Sequence, residues 1–236
     1  MNERQQNLLK IITTQYIKTA QPVSSKFIFE GGKVRFSPAT IRNEMAELET
    51  EGYIFHPHTS AGRIPTERGY QFFVENFIKD LSLNKKEQFF LDKLINSFRQ
   101  FEPRVAKELA KGMAEFSNGA VFVAFTDRDF FYTGLSNLFA QPEFEQHQLV
   151  YNLSQVIDHL DAVINRIFNT IKFDVEIYIG SQNPFSQDCS TVLTKYQVKR
   201  DVGLLGIIGP IRMDYENNIS LLKYSQQLIN NLADRD

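Results

Sequence analysis

Ala39, Thr40, Arg42 and Asn43 fall in the stretch SPATIRNEMAELETEGY, Ser37 to Tyr53, and their types suit contact with a nucleic acid. At about 100° per residue, Ala39 and Asn43 lie opposite the apolar stripe of Ile41, Met45 and Leu48. Asn43 can hold an adenine edge with two hydrogen bonds, and Arg42 can reach a guanine or a phosphate. Thr40 can bond a phosphate or touch a thymine methyl group. Ser37 and Ala39 are small enough to let a helix backbone come close to bases. The competing explanation is a solvated face that happens to carry few charges. Helix-turn-helix patterns are loose enough to keep both readings open.

A second group of candidates follows in YIFHPHTSAGRIPT. Arg63, beside SAG, can reach the minor groove or the DNA backbone as basic arms do, with a plain surface charge as the alternative. Ser25, Lys26, His58 and Thr59 complete the candidate DNA-contacting set. HPH at 56–58 has no third and fourth ligand at a useful spacing, so no metal is expected. GLLGIIG does not fit the dinucleotide fingerprint and reads better as a strand beside a turn. EGGK at 30–33 lacks the rest of a phosphate loop. There is no G-x-S-x-G, no readable carboxylate pair and no histidine set around Cys189, so neither catalysis nor a cofactor is expected.

These side chains need elements to hold them. Leu8, Leu9, Ile12 and Tyr16 predict a helix over 3–19. Pro22 breaks the pattern, Ser24 or Ser25 can cap a short helix to Glu30, and EGG ends it. Ser37 then stands at an N-cap with Pro38 at the first helical position, and Gly52 closes that helix. Tyr53–Phe55 and RIP, separated by turn residues, predict a small hairpin, and Thr66 opens a fourth helix to about Asp80. Two helices joined by a turn and followed by a hairpin make a winged helix-turn-helix.

Residues 83–116 are helical by pattern, with Pro103 starting a new helix. Leu91, Leu94, Phe98, Phe101 and Val105 form a heptad-like seam that can serve either as a contact with the rest of the chain or as a subunit contact. AVFVAF and FFYTG read as two strands around TDRD. One long helix is expected over Glu143–Thr170, a strand over 173–180, two more strands around KRD, and a last helix capped by Asp214. The fold class is α+β with a mainly antiparallel sheet. The expected domains are 1–80 for DNA binding, 81–116 as a helical linker and 117–236 as a mixed domain.

Composition bounds the rest. The chain has 236 residues, with 21 Phe, 9 Tyr and no Trp, enough for a packed core. Its single cysteine excludes an internal disulfide and fits a reducing cytoplasm. No apolar run approaches the roughly 20 residues needed to cross a bilayer, and no secretory leader is visible. Residues 1–70 carry nine basic and seven acidic side chains, and the remainder seventeen and twenty-one. The front of the chain is mildly basic, which is compatible with nucleic-acid contact.

SPATIRNEMAELETEGYIFHPHTSAGRIPTERGY resembles the DNA-binding signature of the HrcA family of heat-inducible transcription repressors. The likeness runs from ERQQNLLKIITTQYIKTAQPVSS to GYQFFVENF. It resumes at GLSNLFAQPEF, IYIGSQNPFSQDCSTVLTKY and LLGIIGPIRMDYENNISLL. The resemblance implies a winged helix, a GAF-like domain and a dimerising domain inserted into it. It implies a homodimer on a double-stranded inverted-repeat operator of chaperone genes, no catalysis, and the chaperonin GroEL as the partner that keeps the repressor active. Family members carry a long segment before the GLSNLFAQPEF block, where this chain has only residues 116–134. The alternative is a small-molecule-sensing regulator, with YIGSQNPF and DCS lining a pocket of the GAF-like domain.

Overall fold

The computed structural model describes residues 1–32, 34–58, 61–79 and 82–234. They fall into two compact units, Met1–Lys79 and Asp80–Asp236.

The first unit opens with α1 (Glu3–Thr19). Asn2 accepts from Gln5 N at 3.0 Å while Asn2 N donates to Gln5 Oε1 at 2.8 Å, a reciprocal cap that satisfies two backbone donors. Then come α2 (Ser25–Glu30), α3 (Pro38–Thr50), β1 (Ile54–Phe55), β2 (Ile64–Pro65) and α4 (Glu67–Phe77). Leu8, Leu9 and Ile12 of α1, Ile28 of α2 and Ile41 and Leu48 of α3 are fully buried together. α4 ends at Phe77, short of Asp80, which lies outside the described residues.

The second unit runs α5 (Lys85–Ile95), α6 (Pro103–Ser117), β3 (Ala120–Ala124), β4 (Phe130–Thr133), α7 (Leu135–Phe139), α8 (His147–Asp158), α9 (Leu160–Phe168), β5 (Glu176–Ile179), β6 (Cys189–Val198), β7 (Asp201–Pro210) and α10 (Tyr215–Ala233). Short 3-10 turns occupy Pro142–Glu145 and Gly180–Gln182. The five strands pair in the order β4-β3-β7-β6-β5, antiparallel throughout, so the fold is α+β. β3 is buried on both faces. Ala120, Phe122 and Ala124 share a core with Leu153, Leu160 and Ile164 of α8 and α9, while α6 and α10 pack on the sheet as well. A strand covered on both sides reads as an unbroken apolar run, as AVFVAF does.

The glycines of GLLGIIG have a packing cause. Gly206 faces Phe122 across the ladder, and a Cβ there would stand 2.4 Å from the Phe122 ring. Gly203 faces Tyr196 in the same way, at 2.2 Å from its Cζ. Each bare Cα makes room for the aromatic ring beside it.

Two expectations need correction. The seam is not one helical stripe: Phe98 and Phe101 lie between α5 and α6. Leu91 and Leu94 instead face α6, where Gly112 lets them approach. Tyr224 donates to Asp92 at 2.7 Å and Asn217 to the Phe116 carbonyl at 3.1 Å. The stretch read as a helical linker, 81–116, therefore packs within the second unit. The long helix expected over Glu143–Thr170 is a 3-10 turn and two helices that part at His159, whose φ of −117° and ψ of 24° leave the helical region. No Pro or Gly marks that break.

Candidate nucleic-acid interface

α3 starts where its sequence says it should. Ser37 Oγ accepts from Thr40 N at 3.1 Å and lies 2.9 Å from Thr40 Oγ1, with Pro38 at the first position. Its end is equally well defined. Tyr53 N donates to Leu48 O at 2.9 Å and Gly52 N to Glu49 O at 2.9 Å, with Gly52 at φ +76°. That pair of bonds closes the orphan carbonyls, and the left-handed backbone between them favours glycine.

Between these ends the two faces separate cleanly. Ile41, Met45 and Leu48 are buried, while Ala39, Arg42, Asn43 and Ala46 are exposed. The side chains of Arg42 and Asn43 make no hydrogen bond or ion pair among the described residues. Their side chains are therefore free to meet a partner without first breaking an internal bond. Thr40 is half-buried and bonded to Ser37, so its hydroxyl already serves the cap.

The hairpin is docked onto the start of α2. Val23 and Arg63 exchange backbone hydrogen bonds of 2.9 and 2.8 Å, adding a third short strand segment to β1 and β2. Gly62 permits this approach: a Cβ there would come within 2.5 Å of the Val23 backbone. His58 is exposed in the connection between the strands. Thr59 lies outside the described residues.

Glu49 joins the helix to the hairpin. Its Oε2 accepts from Arg63 Nε at 2.8 Å and lies 2.8 Å from Nη2 in an ion pair, and its Oε1 pairs with His56 Nδ1. Partial burial pushes this carboxyl up, but the His56 hydrogen bond and the Arg63 charge outweigh it and hold it below the usual carboxylate range. Sequence reasoning placed Arg63 toward DNA and gave Glu49 no role. The pair spans 14 residues and a turn, so no short-range spacing could have announced it.

Nearby, Arg68 donates to the Glu51 carbonyl at 2.6 Å and lies 4.4 Å from the Tyr53 ring centre. Lys26 makes only an exposed i,i+4 pair with Glu30 at 3.8 Å, and Ser25 is half-buried beside it. Ser24, not Ser25, caps α2, accepting from Phe27 N at 3.1 Å. Of the candidate set, then, Ser37, Ala39, Arg42 and Asn43 share the exposed N-terminal part of α3.

A family model described as the HrcA protein C-terminal domain matches residues 69–219. The chain belongs to the HrcA family. A protein of Halalkalibacterium halodurans named heat-inducible transcription repressor HrcA is 24% identical, covering 99% of this chain and 98% of the relative. A Natranaerobius thermophilus protein of the same name is 44% identical over 119 residues, which are 50% of this chain and 34% of that one. A solved structure described as a hypothetical protein at 2.2 Å resolution superposes over 100% of both chains with a TM-score of 0.79 and 20% identity, so the fold is shared. The first HrcA alignment extends over 338 positions against 236 residues here, so that relative carries a stretch this chain lacks. No helix of the described residues is long and apolar enough to cross a membrane.

Proposed function

We propose that this HrcA protein is a DNA-binding repressor of chaperone genes whose first unit is a winged helix-turn-helix. α3 is the recognition helix, and the β1–β2 hairpin is the wing. The observation that carries the reading is the N-terminal face of α3. It is small, sparsely charged and exposed, and it bears Arg42 and Asn43 without internal partners. A face of small residues lets a helix backbone lie close to base edges in the major groove. Ile41, Met45 and Leu48 orient the helix and touch no DNA.

In this reading Asn43 and Arg42 contact bases or phosphates. Ser37, Ala39 and Thr40 line the close approach, while Ser25, Lys26, His58 and Thr59 reach the phosphate backbone around it. Arg63 changes role: held by Glu49, it fixes the wing against the recognition helix. The protein works as a homodimer on an inverted repeat, since a second half-site adds affinity only when the two copies are linked. The family implies that a chaperonin of the GroEL kind maintains the active form in the cytoplasm. The second unit is GAF-like.

The experiment is a titration of a labelled inverted-repeat duplex with the protein at two salt concentrations. Phosphate neutralisation makes log K fall steeply with log salt, and a scrambled duplex should bind more weakly by about 10³-fold or more. Salt-independent binding, or equal affinity for both duplexes, would remove the assignment.

A further inference from the structure

Where β3 ends and β7 begins, the second unit holds an open cavity of about 600 Å³. That volume lies in the range of small-molecule sites. Phe101, Phe125, Phe168 and Tyr196 form its aromatic wall, Asp127 and Asp201 contribute carboxylates, and no lysine, arginine or histidine lines it. It is not where YIGSQNPF and DCS pointed, since none of those residues borders it.

The fold builds this cavity from separate parts of the chain. Ala124, the last residue of β3, pairs with Leu204; the bend that follows β3 carries Phe125 and Asp127 to the cavity, and the start of β7 carries Asp201. Tyr196 reaches the wall because Gly203 opposite it has no side chain. Its hydroxyl donates to the Ala124 carbonyl at 3.3 Å, which fixes the ring. Phe101, from the connection between α5 and α6, lies 6.2 Å from that ring, centre to centre. Lys107, outside the lining, stands 5.6 Å from the Phe125 ring centre, so the uncommitted aromatic surface is that of Phe101, Phe168 and Tyr196. Among the described residues, Asp127 and Asp201 make no ion pair.

Aromatic faces carry partial negative charge and attract cations within about 6 Å, most strongly where water is excluded. Two carboxylates without ion pairs add to that field, and a lining that holds carboxylates and no basic side chain disfavours an anion. We propose that this cavity binds a small organic cation with an apolar body, of the alkylated-ammonium class. The proposal stands apart from the repressor reading, because it concerns only the second unit.

The test uses the full chain with benzyltrimethylammonium as probe and benzyl alcohol as its uncharged counterpart, by calorimetric titration. The cation is expected to bind measurably and the alcohol at least about tenfold more weakly. The double variant Asp127→Asn with Asp201→Asn should lose most of the affinity while keeping its melting temperature, and Phe168→Ala should weaken binding independently. Equal binding of the two probes, no heat from the cation, or full affinity in the Asn variant would overturn the proposal. Self-association abolished by the same substitutions would give the cavity to a second copy and overturn it too.

Discussion

Glu49 in the second half of α3 holds Arg63 of the β1–β2 hairpin: its Oε2 accepts from Arg63 Nε at 2.8 Å and lies 2.8 Å from Nη2. α3 and the β1–β2 hairpin are thus joined by a charge-assisted clamp as well as through the chain. A charge-assisted hydrogen bond is shorter and stronger than a neutral one, so the clamp adds direction as well as charge.

The clamp predicts how Arg63→Ala behaves. Operator affinity should fall evenly across operator sequences, because the whole wing loosens. The slope of log K against log salt should stay nearly the same, whereas loss of a direct phosphate contact reduces it by about one. A cycle of Arg63→Ala, Glu49→Gln and the double variant should show a coupling of about 0.5–3 kcal/mol in stability. Additive single effects would separate the two residues.

Acid should release the same clamp. The folded protein holds the Glu49 carboxyl below its usual value of 4.5, so the unfolded chain takes up that proton first as pH falls. The stabilisation is complete above pH 4.5 and is lost as pH drops through the lower, folded value. Thermal melts should show wild type above Glu49→Gln near neutral pH, with the gap closing only in the acid range. A constant gap down to strong acid would contradict this.

The sheet makes a separate prediction. Gly206→Ala would put a Cβ 2.4 Å from the Phe122 ring in a buried strand. Overpacking of this kind costs about 1–3 kcal/mol, which urea denaturation can read. An unchanged midpoint would mean that Phe122 moves aside freely.

Much of the first unit was legible in its sequence because local chemistry decides it. Ser37 and Pro38 announce the start of α3 and Gly52 its end, and the Ile41–Met45–Leu48 spacing names the buried face. The misreadings have a common physical source. Phe98 and Phe101 fall at helical spacing by coincidence, and Phe101 is claimed by Tyr196, a residue far along the chain. The break at His159 serves the packing of Leu153, Leu160 and Ile164 into one core, which no local signal records. The Glu49–Arg63 clamp and the aromatic cavity are likewise products of distant residues meeting, invisible to patterns read a few positions at a time.

Pairing of two chains is testable directly. Light scattering with an inverted-repeat duplex should give a complex of two protein chains per duplex. A single chain bound to an intact inverted repeat would contradict the dimeric reading.

The central claim is that Arg42 and Asn43 read the operator. Gel-shift titrations of Arg42→Ala and Asn43→Ala test it most directly, against the operator and a panel of single-base variants. Both side chains are exposed and unpartnered, so thermal stability should change by no more than about 0.5 kcal/mol. Each variant should lose about 1–3 kcal/mol on the operator and discriminate less at one base position. Operator affinity and base preference unchanged in both variants would contradict the account.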